Sequence, residues 1–168
     1  WEDYRKSYAA RKDQGGGIIL TMIHDIDYLN WIFGPLKMEK AIGGKKSKLE
    51  IDVEDTALLS FSGDNLVPIH LRMDYWRMNP TRTLGIVSDN AEVLWDYHKC
   101  MLIIKFNNGK TEKFVLNKKW DRNELFLEIM KNFLNSINGE EKIISPLSDG
   151  CDVLKIALAA KKQVNTYL

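Results

Sequence analysis

VPIHLRMDYWRMNPTRTLGIVSDNAEVLWDY, residues 67–97, decides the architecture. Over Val67–Met78, Ile69, Leu71, Met73 and Tyr75 alternate with His70, Arg72, Asp74 and Trp76. A period of two sends successive side chains to opposite faces of a strand. Pro68 lies near the strand start, where a missing amide donor does least damage. Thr83–Val87 and Glu92–Tyr97 then flank Ser88-Asp89-Asn90, a run of turn-forming residues. The same signal recurs on either side. Val53–Gly63 contains Ala57-Leu58-Leu59-Ser60-Phe61 and leads into a Gly63-Asp64-Asn65 turn. Met101–Phe106 and Thr111–Leu116 flank Asn107-Asn108-Gly109-Lys110. The stretch 36–117 therefore predicts a largely antiparallel sheet of five or more strands.

Helical patterns bracket this region. Trp1–Gln14 can form a short helix, stopped by Gly15-Gly16-Gly17. Ile18–Phe33 reads as one helix closed by Gly34-Pro35. Ile19, Met22, Ile23, Ile26, Leu29 and Phe33 form its apolar stripe. His24, Asp27, Tyr28 and Trp31, spaced i, i+3, i+4, i+7, form a second stripe that is polar and aromatic together, where a plain solvent face would carry Lys and Glu. Near the end, Asp121–Ile137 repeats Leu125, Ile129, Phe133 and Ile137 before Asn138-Gly139. Pro146 precedes a last helix with Ser148 or Asp149 as its N-cap and Val153, Ile156, Leu158 and Ala160 inside. Helix, strands, then two helices is an α+β layout: an open-faced, largely antiparallel sheet with helices packed on one face.

Composition narrows the partners. The 168 residues, 45% hydrophobic and 28% charged, suit one ordered domain over 1–168. Lys+Arg (24) and Asp+Glu (23) nearly cancel, to a net +1, so neither nucleic acid nor an anionic membrane is an expected partner. No apolar run approaches the length of a membrane span. Cys100 and Cys151 are too few for a disulfide framework, which points to a reducing, cytoplasmic compartment. The sequence opens on Trp1 and not Met, the expectation being a piece of a longer protein.

Few residues stand out for chemistry. Gly15-Gly16-Gly17 ahead of a helix could present backbone amides to an anion, but a flexible connection is the commoner use. It is no dinucleotide fingerprint, because no Gly-x-Gly-x-x-Gly follows a strand. His24 with Asp27 could form a proton-transfer pair, although a single histidine is more often a surface residue. His70 and His98 lack partners at metal-ligand spacing, so no metal is expected. Arg77 and Arg82 flank Asn79-Pro80 beside Tyr75 and Trp76, a set that suits a carboxylate, phosphate or sugar as well as it suits a solvated turn. Lys118-Lys119 and Lys161-Lys162 read as solvated helix ends. No nucleophilic serine motif, P-loop or Cys-His constellation is present.

The segment GGGIILTMIHDIDYLNWIFG, residues 15–34, resembles the C-terminal domain of the glucose–fructose oxidoreductase / inositol dehydrogenase (Gfo/Idh/MocA) family. WEDYRKSYAA, MDYWRMNPTRTLGIVSDNAEVLWDY, WDRNELFLEIMKNFLNSINGEEK and SDGCDVLKIALAAKKQ resemble further segments of that domain, in the family's order. The resemblance implies an NAD or NADP cofactor bound mainly by an N-terminal Rossmann domain. That domain also carries a catalytic Glu-Lys-Pro lysine, and neither feature lies in these residues. It implies His24 as the acid–base histidine, and with that role assigned Asp27, Tyr28, Arg77 and Arg82 are the expected substrate-binding residues. The family often has an aspartate shortly before the histidine. Thr21 occupies that place here and cannot hold a negative charge at neutral pH.

The expected function is thus the substrate-binding and oligomerisation half of an oxidoreductase acting on a polyol, sugar or sugar-nucleotide derivative, inactive on its own. Adjacent pairs such as Tyr75–Trp76, Leu94–Trp95 and Ile103–Ile104 place apolar groups on both sheet faces, so a homodimer or homotetramer through the sheet is expected. The alternative is a module that keeps the fold for dimerisation or small-ligand binding without chemistry, and Thr21 is the feature in its favour. With no dinucleotide fingerprint in 1–168, calorimetric titration of the isolated chain should show weak or no binding of NAD(H) and NADP(H). Tight stoichiometric binding would contradict this.

Overall fold

The computed structural model describes residues 3–116 and 122–165. The chain forms two compact units, one built from the chain up to Arg77 together with the chain from Ser145 onward, the other from Met78–Ile144.

In the first unit, three short 3₁₀ turns, Tyr4–Lys6, Tyr8–Ala10 and Lys12–Gln14, replace the opening helix that propensity predicts. Asp3 and Ser7 accept from the amides of Arg5 and Ala9, local bonds that close tight turns in preference to a continuous helix. The predicted helix 18–33 is broken in two: α1 (Ile18–Thr21) and α2 (His24–Phe33). Met22 leaves helical geometry at φ −106°, ψ 28°. Three antiparallel strands follow, β1 (Lys37–Gly44), β2 (Thr56–Ser62) and β3 (Pro68–Asp74), in the order β1-β2-β3. The last helix of the chain, which returns to this unit, spans Leu147–Asn165. Ser148 and Asp149 sit inside its first turn, the N-cap place being taken by Pro146, whose carbonyl accepts from the Asp149 amide at 3.1 Å.

One face of this sheet is the core. Register aligns Ala41, Leu59 and Leu71, and likewise Phe61 with Ile69 and Ala57 with Met73, and all are buried. Ile18, Ile19, Ile26 and Leu29 from α1 and α2 are buried with them. The last helix adds Val153, Ala157, Ala160 and Val164, a stripe of small residues that brings it close to β1. Its Gln163 side chain accepts from the Ala41 amide at 2.8 Å. Leu158, expected inside, is half exposed. The opposite face carries Leu58, Ser60, His70 and Arg72 and stays open. Helices on one face and an open second face are the predicted α+β arrangement.

In the second unit, β4 (Thr83–Val87), β5 (Ala91–Asp96), β6 (Met101–Phe106) and β7 (Thr111–Val115) form a four-stranded antiparallel meander, with the Ser88-Asp89-Asn90 and Asn107–Lys110 turns where the sequence places them. Thus seven strands pair as two sheets among the described residues, where alternation alone suggests one. Tyr75–Arg82, with Pro80 inside it, separates β3 from β4 and forms no ladder. The unit also holds helix α3 (Arg122–Ile137), the long helix at Leu147–Asn165 being α4. The predicted start at Asp121 and the pair Lys118-Lys119 lie outside the described residues.

The loop between β1 and β2 is fixed by Asp55, whose side chain is fully buried. Its carboxylate accepts from the amides of Lys46 and Ser47 at 2.8 and 2.9 Å and from Ser47 Oγ at 2.5 Å, with Lys45 Nζ 3.6 Å away. Burial alone would raise the Asp55 pKa. The Ser47 hydroxyl, the two amides and the Lys45 ammonium outweigh it and hold the carboxyl below the usual aspartate range. A lowered native pKa means that this stabilisation is complete above the unfolded value of about 3.9 and drains away as pH falls through the native one. Asp55→Ala should therefore lower stability by about 3 kcal/mol at neutral pH. The deficit should shrink in denaturant titrations repeated below about pH 4. A deficit that is independent of pH would show that packing, not the carboxylate, is at stake.

Candidate functional site

The glycine segment is closely packed and its amides are spoken for. Gly15, Gly16 and Gly17 donate to the carbonyls of Lys12, Arg11 and Ala9, and Ile18 donates to Glu54 O at 3.0 Å. None of these four is left for a phosphate, so the anion-cradle reading of Gly15-Gly16-Gly17 does not fit, and neither does a loose tether. At Gly16 a Cβ would stand 2.4 Å from Tyr8 O. Gly17 has φ +110°, and a Cβ there would overlap the Glu54 carboxylate. Glycine is needed at both positions because backbone passes against backbone and against a buried acid. Nothing in this segment offers a seat for a dinucleotide diphosphate.

Behind the segment lies a set of polar groups from four elements. Glu54 is 2% exposed. Its Oε2 lies 3.7 Å from Lys161 Nζ of α4, which also donates to Gly16 O at 2.5 Å. Among the described residues, Glu54 Oε1 has no hydrogen-bond partner. The Tyr75 hydroxyl donates to Thr21 Oγ1 at 2.9 Å, and the Tyr75 amide donates to Asp55 O at 2.9 Å. Burial pushes the Tyr75 phenol up to about 12, and the nearby Glu54 carboxylate adds to that while the bond to Thr21 opposes it. Tyr75 is a neutral donor at any physiological pH.

His24 is the first residue of α2 and is exposed, as are Asp27, one turn on, and Trp31, 82% exposed. Tyr28 on the same stripe is half-buried. The second stripe of the sequence is thus the open face of α2. Asp25, between the stripes, is buried at 7% exposure. Arg77 ends the first unit. Its guanidinium lies 3.6 Å from Asp74 Oδ2 and its amide donates to Asp74 Oδ1 at 3.1 Å. Arg82 belongs to the second unit, where its guanidinium lies over the Tyr97 ring, 5.3 Å from the centroid. His24, Asp27 and Tyr28 are brought together by one helix, and each arginine has local company of its own.

The spacing rules missed Tyr75, Glu54 and Lys161. Tyr75 reads as one more strand alternation and Lys161 as a solvated helix end, and Lys161 is in fact 17% exposed. The available signal was Glu54-Asp55 directly after Val53, two acids in a stretch otherwise bound for the core.

Comparison with known proteins bears on the fold and the family. The family model described as "Oxidoreductase family, C-terminal alpha/beta domain" matches residues 2–167. An uncharacterized oxidoreductase of Synechocystis sp. is 32% identical over 77 residues, covering 39% of this chain and 21% of the relative. UDP-N-acetylglucosamine 3-dehydrogenase from Acidithiobacillus ferrooxidans superposes with a TM-score of 0.75 at 22% identity over 89% of this chain and 48% of its own. An oxidoreductase from Agrobacterium radiobacter, in complex with NAD+, L-tartaric acid and magnesium, gives a TM-score of 0.79 at 16% identity over 100% of this chain and 52% of its own. A super-repressor mutant of Gal80p from Saccharomyces cerevisiae gives 0.75 at 13% identity over 94% and 50%. At these identities the three structures establish the fold, and the chain spans about half of each. With the family's Gly-Gly-Gly segment packed at residues 15–17 and the match running over nearly the whole sequence, the chain belongs to the Gfo/Idh/MocA oxidoreductase family as its C-terminal alpha/beta domain.

Proposed function

We propose that residues 1–168 are the substrate-binding and oligomerisation domain of an NAD(P)-dependent oxidoreductase acting on a polyol, sugar or sugar-nucleotide derivative. The observation that carries this reading is His24, exposed at the start of α2 within a chain of this family. The nicotinamide supplies the hydride chemistry and is held mainly by a domain outside these residues. His24 exchanges the proton of the substrate hydroxyl. Asp27 and Tyr28, on the same stripe, meet the substrate's remaining hydroxyls, and Arg77, in the same unit, supplies charge and planar donors for its polar groups. The cytoplasmic reading rests on the two cysteines, both of them free thiols.

In the full-length protein, His24→Ala should lower kcat by about 10²–10⁴-fold, the usual worth of a general acid–base group. Because His24 is exposed, the same change should move stability by no more than about 0.5 kcal/mol. Unchanged kcat would remove His24 from the chemistry. Thr21 favours a second reading, a domain that keeps the fold without catalysis, and a repressor sharing the fold shows that the architecture does not dictate the reaction. Turnover lost in His24→Ala separates the two.

The assembly we propose is a homodimer or homotetramer through the sheet of the second unit. Register gathers Leu84, Trp95, Leu102 and Phe114, with Ile86, Val93 and Ile104, on one face of β4–β7. Among the described residues of 78–144 no side chain is buried, and Phe114 is 53% exposed. A four-stranded sheet needs an apolar face covered to be stable. Sedimentation should show a dimer or larger species at micromolar concentration, and Leu102→Asp should weaken it. A monomer at that concentration would exclude the sheet as the interface.

A further inference from the structure

The α1–α2 corner presents His24; short backbone bonds such as Met22 N to Ile18 O and Asp25 N to Met22 O, both at 3.0 Å, close it, and the buried Ile18, Ile19 and Ile26 seat it on the core. α1 has four residues, too few for a helix to be stable through its own bonds. Its start is tied down by Gly17 N to Ala9 O and Ile18 N to Glu54 O, both at 3.0 Å. At its far end, the last residue, Thr21, receives the Tyr75 hydroxyl at 2.9 Å. Tyr75 can serve as a fixed post. It directly follows β3, its amide is bonded to Asp55 O, and its ring is half-buried. Beyond Thr21 the chain leaves helical geometry at Met22, and α2 begins at His24, three residues past the anchored hydroxyl.

We propose that Tyr75 is a positioning residue for His24: its hydroxyl, donated to Thr21 Oγ1, pins the end of α1 and thereby sets the corner from which His24 is displayed. The proposal rests on the reading of His24 as the proton-transfer group. It also gives Thr21 a task. The Tyr75 hydroxyl faces Thr21 Oγ1 at 2.9 Å and Ala9 O only at 3.5 Å, so the neutral Thr21 hydroxyl is its close acceptor. Tyr75 acts through Thr21 and does not itself touch substrate.

The test follows the His24 imidazole signal in proton–carbon spectra of the full-length protein carrying isotope-labelled histidine, assigned by its loss in His24→Ala. Tyr75→Phe keeps the ring and removes the hydroxyl, and Thr21→Val keeps the side-chain shape and removes the acceptor. Each should move the His24 signal, the double variant should move it no further than either alone, and Thr21→Ser should leave it where the native protein has it. The His70 signal, from the open face of β3, should stay put in all four, which a general loss of structure would not allow. An unmoved His24 signal in both Tyr75→Phe and Thr21→Val, or two shifts that add in the double variant, would overturn the proposal. The spectrum needs no turnover, whereas the His24→Ala rate tests the parent reading. Loss of the coupling with kcat still dependent on His24 would defeat the positioning role alone, and intact coupling with kcat independent of His24 would defeat the catalytic reading alone.

Discussion

The first unit is knotted at two neighbouring acids, Glu54 and Asp55, both buried. The backbone carbonyl of Glu54 starts α1 through Ile18, and its carboxylate lies against Gly17 with Lys161 of α4 at 3.7 Å. Asp55 O receives the amide of Tyr75 at the end of β3, and its carboxylate holds the β1–β2 loop. Helices, loop and strand end therefore converge on two residues. Taking a carboxylate out of water costs several kcal/mol, and that cost is offset only where partners are close and well aimed. Asp55 meets the condition with three donors at 2.5–2.9 Å. Glu54 meets it less well: among the described residues it has one ammonium, at 3.7 Å, and no hydrogen-bond partner for Oε1. Asp55 is thus the stabilising member of the pair, whereas Glu54 specifies arrangement: α4 must bring Lys161 to it, and residue 17 must be glycine to make room.

This knot explains which parts of the molecule the sequence made legible. Strands announce themselves through alternation because the exposed and buried faces of a sheet differ in chemistry. Thr83–Val87 and Met101–Phe106 fall where the pattern puts them. The division into two sheets was not legible, since alternation says which way a side chain points but not which strand lies beside it. The predicted single helix over 18–33 failed for a related reason. Its apolar spacing runs unbroken through Met22 and Ile23, yet the break at Met22 comes directly after a segment, Ile18–Thr21, whose ends are bonded to Glu54 O and Tyr75, both distant in the chain.

The candidate site was half legible. His24, Asp27 and Tyr28 come from one helix, so spacing alone assembles them, and the structure places their stripe on the open face of α2. Tyr75, Glu54 and Lys161 come from different elements, and no spacing rule connects positions 54, 75 and 161. They appear in the sequence only as small anomalies: two acids beside Val53, a tyrosine just past a strand, a lysine inside an otherwise small-residue stripe. Each becomes informative once burial is known, because a buried polar group must find a partner and so reports on what lies across from it.

Thr21 shows how such a partner changes a functional argument. Taken alone, a threonine where relatives often carry an acid suggests lost chemistry, and the shared fold of a dehydrogenase and a repressor leaves that suggestion standing. In the structure the threonine is engaged: its Oγ1 accepts from a phenol that stays protonated up to about pH 12. A group of that kind holds geometry without changing charge. On the stripe that begins past this corner, His24 is the one imidazole, beside Asp27 and Tyr28. The departure at Thr21 thus leaves the corner held by two neutral hydroxyls, three residues before His24 begins α2, and geometry rather than charge is what this position supplies.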